Sequence, residues 1–157
     1  MRRPEERRHP CAWLLAAALL SGAGCSGASG PPPIATGTPC AACGMEVRDL
    51  RFACERRADG DWRVYDAIEC LMREAGTDAD AMPAGAHAAR AWLADYDTRT
   101  LHAADSIWVV RGGFASPMGG GLAAFRDRTA ADSIAAVTSG RVDRLAAFMA
   151  EAPEGAR

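Results

Sequence analysis

The sequence predicts an α+β fold, two ββα-like halves packed into one small domain behind a signal peptide and a flexible tether. Three observations predict it. An Asp59-Gly60 pair, which favours a tight hairpin turn, separates two runs carrying Val47, Phe52, Trp62, Val64 and Tyr65. Apolar residues at helical spacing follow at once, in Ile68, Leu71, Met72 and Ala75. A second succession of strand candidates and a helix occupies the rest of the chain.

Residues 1–24 carry the pattern of an export signal. Arg2, Arg3, Arg7 and Arg8 form a basic start, Ala12 to Leu20 an apolar run, and Ser21-Gly22-Ala23-Gly24 a set of small residues ending at Cys25. The apolar run is far shorter than the roughly 20 residues a membrane-spanning helix needs, so cleavage is expected rather than a permanent anchor helix. Leu20-Ser21-Gly22-Ala23-Gly24-Cys25 resembles a bacterial lipobox, which implies that Cys25 becomes the lipid-bearing amino terminus. Residues 25–38 are rich in Ser, Gly and Pro without periodicity and are expected to be a flexible tether, leaving 39–157 as the folded domain.

Within that domain, Met45 to Arg56 and Asp61 to Tyr65 are the predicted strands of the hairpin. Asp66, three residues before Glu69, predicts a helix cap with a box-like partner, and Gly76 a stop, giving a helix over Ala67 to Ala75. On that helix Cys70 falls opposite the centre of the apolar stripe, so it faces either solvent or the Cys40-x-x-Cys43 loop. Cys54, beside Phe52 in a strand pattern, reads as a small buried hydrophobe. Thr77 to Ala89, containing Pro83, predicts a loop. Ala91 to Tyr96 and Ile107 to Arg111 are strand candidates separated by Asp97-Thr98-Arg99-Thr100. Phe114 to Gly121 predicts a loop, Leu122 to Val137 a helix, Ser139-Gly140 a break and Arg141 to Met149 a short final element.

Composition excludes one class of partner. With 18 Lys and Arg against 20 Asp and Glu, the net charge of −2 supplies no clustered basic face for nucleic acid. His87 and His102 lack the carboxylate or serine company that would argue hydrolysis, and both are expected at the surface. Gly119-Gly120-Gly121 matches no phosphate-loop pattern.

The cysteines carry the chemistry. Cys11 leaves with the signal and Cys25 takes lipid, so Cys40, Cys43, Cys54 and Cys70 remain. Cys40-Ala41-Ala42-Cys43-Gly44-Met45 is a paired-thiol loop ending in a thioether, and Met118 lies in a second glycine-rich loop, Ser116-Pro117-Met118-Gly119-Gly120-Gly121. Thiolate and thioether are soft ligands that favour Cu(I), whereas zinc rarely takes thioether. A disulfide framework or zinc staple is the structural alternative, although a four-cysteine zinc site would more comfortably show a second Cys-x-x-Cys. Thiol-disulfide exchange by Cys40 and Cys43 is another, against which stands the strand pattern that follows the pair where an exchange motif would open a helix.

Taken in order, Cys40-Ala41-Ala42-Cys43-Gly44-Met45, Tyr65-Asp66-Ala67-Ile68-Glu69-Cys70, Asp95-Tyr96 with Ile107-Trp108-Val109-Val110, and Met118-Gly119 leading to Leu122-Ala123-Ala124-Phe125 resemble the NosL family. The resemblance spans nearly the whole chain after the signal. It implies a lipoprotein facing the periplasm, built from paired ββα units, that binds Cu(I) and delivers it for assembly of nitrous oxide reductase. It implies metal handover without catalytic turnover, with Cys40, Cys43, Met45 and Met118 as ligands, Cys70 as a further candidate and Cys25 as the site of lipidation. The expected partners are a copper-accepting enzyme or its assembly complex, and the membrane through lipid on Cys25. His102 stands where the family pattern would carry an acidic residue, and Cys54 takes no role from the family.

Overall fold

The computed structural model describes residues 30–77 and 83–151, so the signal peptide over 1–24 and the lipidation site Cys25 lie outside the described residues. Strands β1 (Cys54–Ala58) and β2 (Asp61–Tyr65) pair antiparallel, Cys54 opposite Tyr65 and Ala58 opposite Asp61. The turn between them places Asp59 at φ 52° and Gly60 at φ 89°, the pair of left-handed residues that a two-residue hairpin demands. Helix α1 (Ile68–Thr77) follows, completing a first ββα unit. Further along, β5 (Trp108–Arg111) and β6 (Leu122–Phe125) pair antiparallel and lead into α3 (Arg128–Thr138), a second succession of strand, strand and helix.

Other elements extend both units. β3 (Ala91–Ala94) and β4 (Leu101–Ala103) join the first sheet, in the order β2-β1-β3-β4. β7 (Arg141–Asp143) completes the second, in the order β6-β5-β7, and α4 (Leu145–Glu151) follows it. A seam joins the sheets: Asp95 bridges Ala124 in parallel, the Tyr96 amide donates to the Ala124 carbonyl at 2.7 Å, and Asp95 Oδ1 accepts from the Arg126 amide at 3.1 Å. The Asp95-Tyr96 motif is therefore where the halves are stitched.

The predicted helix over Leu122 to Val137 is corrected to a strand and a shorter helix. The physical reason is burial on both faces. Along β6, Leu122 and Ala124 enter one apolar cluster with Cys40, Cys54, Ile68, Cys70 and Leu71, while Ala123 and Phe125 enter a second with Phe52, Val110 and Ala131. A strand buried on both sides reads as a continuous apolar run, which periodicity cannot tell from helix. The true helix start is marked by Asp127, whose carboxylate accepts from the Ala130 amide at 2.8 Å.

Smaller corrections have similar causes. The expected loop over Thr77 to Ala89 contains α2 (Ala84–Ala88), a turn and a half too short to show a period. The first strand begins at Cys54 rather than Met45, and β4 was not expected at all, having three residues and no alternation to display. The final element divides into β7 and α4. His87 is not at the surface but 4% exposed, its Nδ1 3.5 Å from the buried Arg56 guanidinium. His102 sits half-buried on β4 opposite Leu93. Before the domain, Gly37 donates to the Val47 carbonyl and Val47 to that of Thr38, each at 2.9 Å.

Glu55 on β1 is 1% exposed, and its Oε2 finds no hydrogen-bond partner among the described residues. Burial raises its carboxyl from the ordinary range to about 7. A raised folded-state value means that the stability it contributes is full below the ordinary carboxyl range and is lost as pH climbs through about 7. Glu55→Gln, which has no charge to desolvate, is expected to stabilise the fold above that pH by up to ~3 kcal/mol and to flatten its pH profile. Urea midpoints at acid and alkaline pH check this, and parallel profiles for the two proteins would contradict it.

Candidate metal centre

Cys40 and Cys43 sit at the tip of a narrow loop closed by backbone bonds. Pro39 bridges Glu46, the Cys40 amide donates to the Met45 carbonyl at 2.8 Å, and the Gly44 amide donates to the Cys40 carbonyl at 2.9 Å. The Ala41 amide donates to Val64 on β2 at 2.8 Å, which pins the loop against the first sheet beside the start of α1. Gly44 closes the loop at φ 76°, where a side chain is strained.

From the other side, α1 brings Cys70 in its first turn, with Asp66 just ahead of the helix. Positions four apart at a helix start lie on one face, so the Asp66 carboxylate and the Cys70 thiol converge. The ligand atoms of Cys40, Cys43, Asp66 and Cys70 all lie within 4.8 Å of one another. The Cys43 thiol donates to Asp66 Oδ1 at 3.7 Å. Arg73, one turn beyond Cys70, donates through Nη2 to the Ala42 carbonyl at 3.2 Å and to Cys70 Sγ at 3.6 Å. Arg73 thus sets a cation beside a group of four potential anions.

Electrostatics favour the protonated thiol at Cys40 and Cys70. Burial is the largest cause raising the Cys40 thiol, and for Cys70 burial is reinforced by the Asp66 carboxylate and the neighbouring sulfurs. A cation entering the group displaces those protons and relieves both burdens at once. Three sulfurs and a carboxylate can hold Cu(I) through two or three thiolates, or Zn(II) through four ligands.

Of the residues singled out by sequence, Cys40, Cys43 and Cys70 are brought together, with Cys70 buried on the loop side rather than turned to solvent. Met118 is half-buried and packs against the apolar cluster that includes Cys40 and Cys70. Met45 is 46% exposed at the loop's end, and its part in the loop's closure is its carbonyl. Cys54 is buried on β1 as expected and stands outside the four-residue group. Asp66 is the candidate ligand that sequence reasoning missed. It was read as a helix cap boxed with Glu69, but Glu69 Oε1 instead accepts from Ser116 and Leu122. The four-residue spacing of Asp66 and Cys70 was the available signal.

No protein-family model matches the sequence, and no curated protein matches it. Among solved structures, the fold is similar to that in the crystal structure of the copper chaperone NosL from Shewanella denitrificans, with a TM-score of 0.55 and 14% identity, covering 73% of this chain and 94% of that one. At that identity the likeness is one of fold, and the chain has a NosL-like architecture.

Proposed function

We propose that this protein is a lipoprotein facing the periplasm that binds Cu(I) through cysteine and methionine sulfur and hands it to a copper enzyme, without chemical turnover of its own. Nitrous oxide reductase is the client implied by the family resemblance, and lipid on Cys25 is the implied tie to the membrane. One observation carries the reading: three thiols from two separate segments converge with a carboxylate within 4.8 Å, in a fold similar to that of a copper chaperone. Met118, half-buried against the apolar core cluster that includes Cys40 and Cys70, offers the thioether that a soft monovalent ion accepts.

Asp66 favours a second reading. A carboxylate is a natural zinc ligand, and three thiolates with one carboxylate make a closed tetrahedral set, so a structural zinc centre competes with copper transfer. The redox reading is weakened instead, because a nucleophilic thiol needs a lowered pKa and burial raises that of Cys40.

Metal competition on reduced protein lacking residues 1–25 separates the three. Under anaerobic conditions one equivalent of Cu(I) is expected to bind and to resist displacement by Zn(II). Tight zinc that copper fails to displace would establish the structural centre, and rapid disulfide reduction without metal uptake would establish exchange chemistry.

A further inference from the structure

We infer that Glu69 is a positioning residue that latches the Met118 loop onto α1, holding the thioether where it can reach a metal carried by Cys40, Cys43 and Cys70. The inference rests on the proposed role of Met118 as a copper ligand. Glu69 precedes Cys70 on α1, and its Oε1 accepts from Ser116 Oγ at 2.6 Å and from the Leu122 amide at 3.3 Å. Ser116, 7% exposed, also accepts from the Gly121 amide at 3.0 Å. One carboxylate thus grips the loop on both sides of Met118.

Between those grips the Gly119 amide donates to the Ser116 carbonyl at 3.0 Å, which puts Met118 in a tight turn. Gly120 passes so close that an added Cβ would lie 2.6 Å from Glu69 Cγ, so a larger residue there must displace the Glu69 side chain. Glu69 Oε2 is buried without a hydrogen-bond partner among the described residues, so the latch is kept despite a desolvation cost. The same helical turn therefore carries the Cys70 thiol and the clamp on the loop that bears Met118.

The test is a double-mutant cycle in the full chain, joining Glu69→Ala and Ser116→Ala to Met118→Leu. Its readouts are anaerobic Cu(I) affinity, thiolate-to-copper absorption and the Met118 methyl carbon shift on loading. Each loop variant is expected to lower affinity by roughly 10–100-fold, the range for residues that orient metal ligands. Each is also expected to abolish the Met118 methyl shift while keeping the thiolate absorption. Glu69→Gln retains the Oε1 acceptor and should restore the shift, and in the M118L background neither alanine variant should cost more. An equal loss in that background, or a Met118 methyl that still moves in both alanine variants, would overturn the latch. If M118L binds as tightly as the parent and the parent's methyl does not move, Met118 is no ligand. The latch then falls with it, while copper binding by the thiols stands.

Discussion

Cys70→Ser is expected to lower Cu(I) affinity by more than about 100-fold, beyond the range typical of groups that merely orient ligands. The substituted atom lies inside the 4.8 Å group, and a hydroxyl oxygen is a hard donor that a soft monovalent ion accepts poorly. The fold should survive, because serine is nearly the same size and can still receive the Arg73 contact. Cys54→Ser is the matched control, since that thiol is equally buried but stands outside the group; it should lower thermal stability and leave affinity within a few-fold of the parent. Competition against a chromophoric Cu(I) chelator, with a melting curve for each variant, measures both. A Cys70→Ser protein that bound copper as the parent does would remove Cys70 from the ligand set.

Acidification should weaken copper binding steeply. Cys40 and Cys70 are raised by burial, so in the metal-free protein they carry protons through and above the ordinary thiol range. Each thiolate that coordinates must release one proton, and each released proton lowers affinity about tenfold per unit fall in pH. Two coordinating thiols predict a slope of ~100-fold per pH unit and three a slope of ~1000-fold, whereas Met118 adds none because a thioether has no proton to lose. Because the thiols are raised rather than lowered, the slope should persist above pH ~8.5, where that of an exposed thiol would level off. The measured slope counts the thiolates, and an affinity independent of pH would show that none takes part.

Features set by neighbouring residues are legible in the sequence, and features set by tertiary packing are not. The hairpin was legible because Asp59-Gly60 adopts the left-handed pair its turn requires, a property written in two adjacent residues. α1 was legible from its apolar spacing, and the paired thiols from theirs. β6 was misread because its apolar run is continuous, and it is continuous because alternate residues feed two different clusters. That fact belongs to the packing of both halves. Asp66 was missed for a related reason. A carboxylate before a helix normally serves its own backbone, and it is the Cys40 loop, anchored through Ala41 to β2, that adds two further thiols to the Cys70 thiol Asp66 already faces. His87 followed the general habit of histidine in a polar stretch, which the buried Arg56 overrides.

The three thiols of the candidate centre differ in their exposure. Cys40 and Cys70 are enclosed, while Cys43 reaches partway to solvent. In the proposed handover, an incoming donor would meet the ion on the Cys43 flank and displace that bond first, with the two enclosed sulfurs keeping hold until the newcomer is attached. Transfer of that kind would pass the ion from one protein to the next through the half-open thiol, with no stage at which it stands free in water.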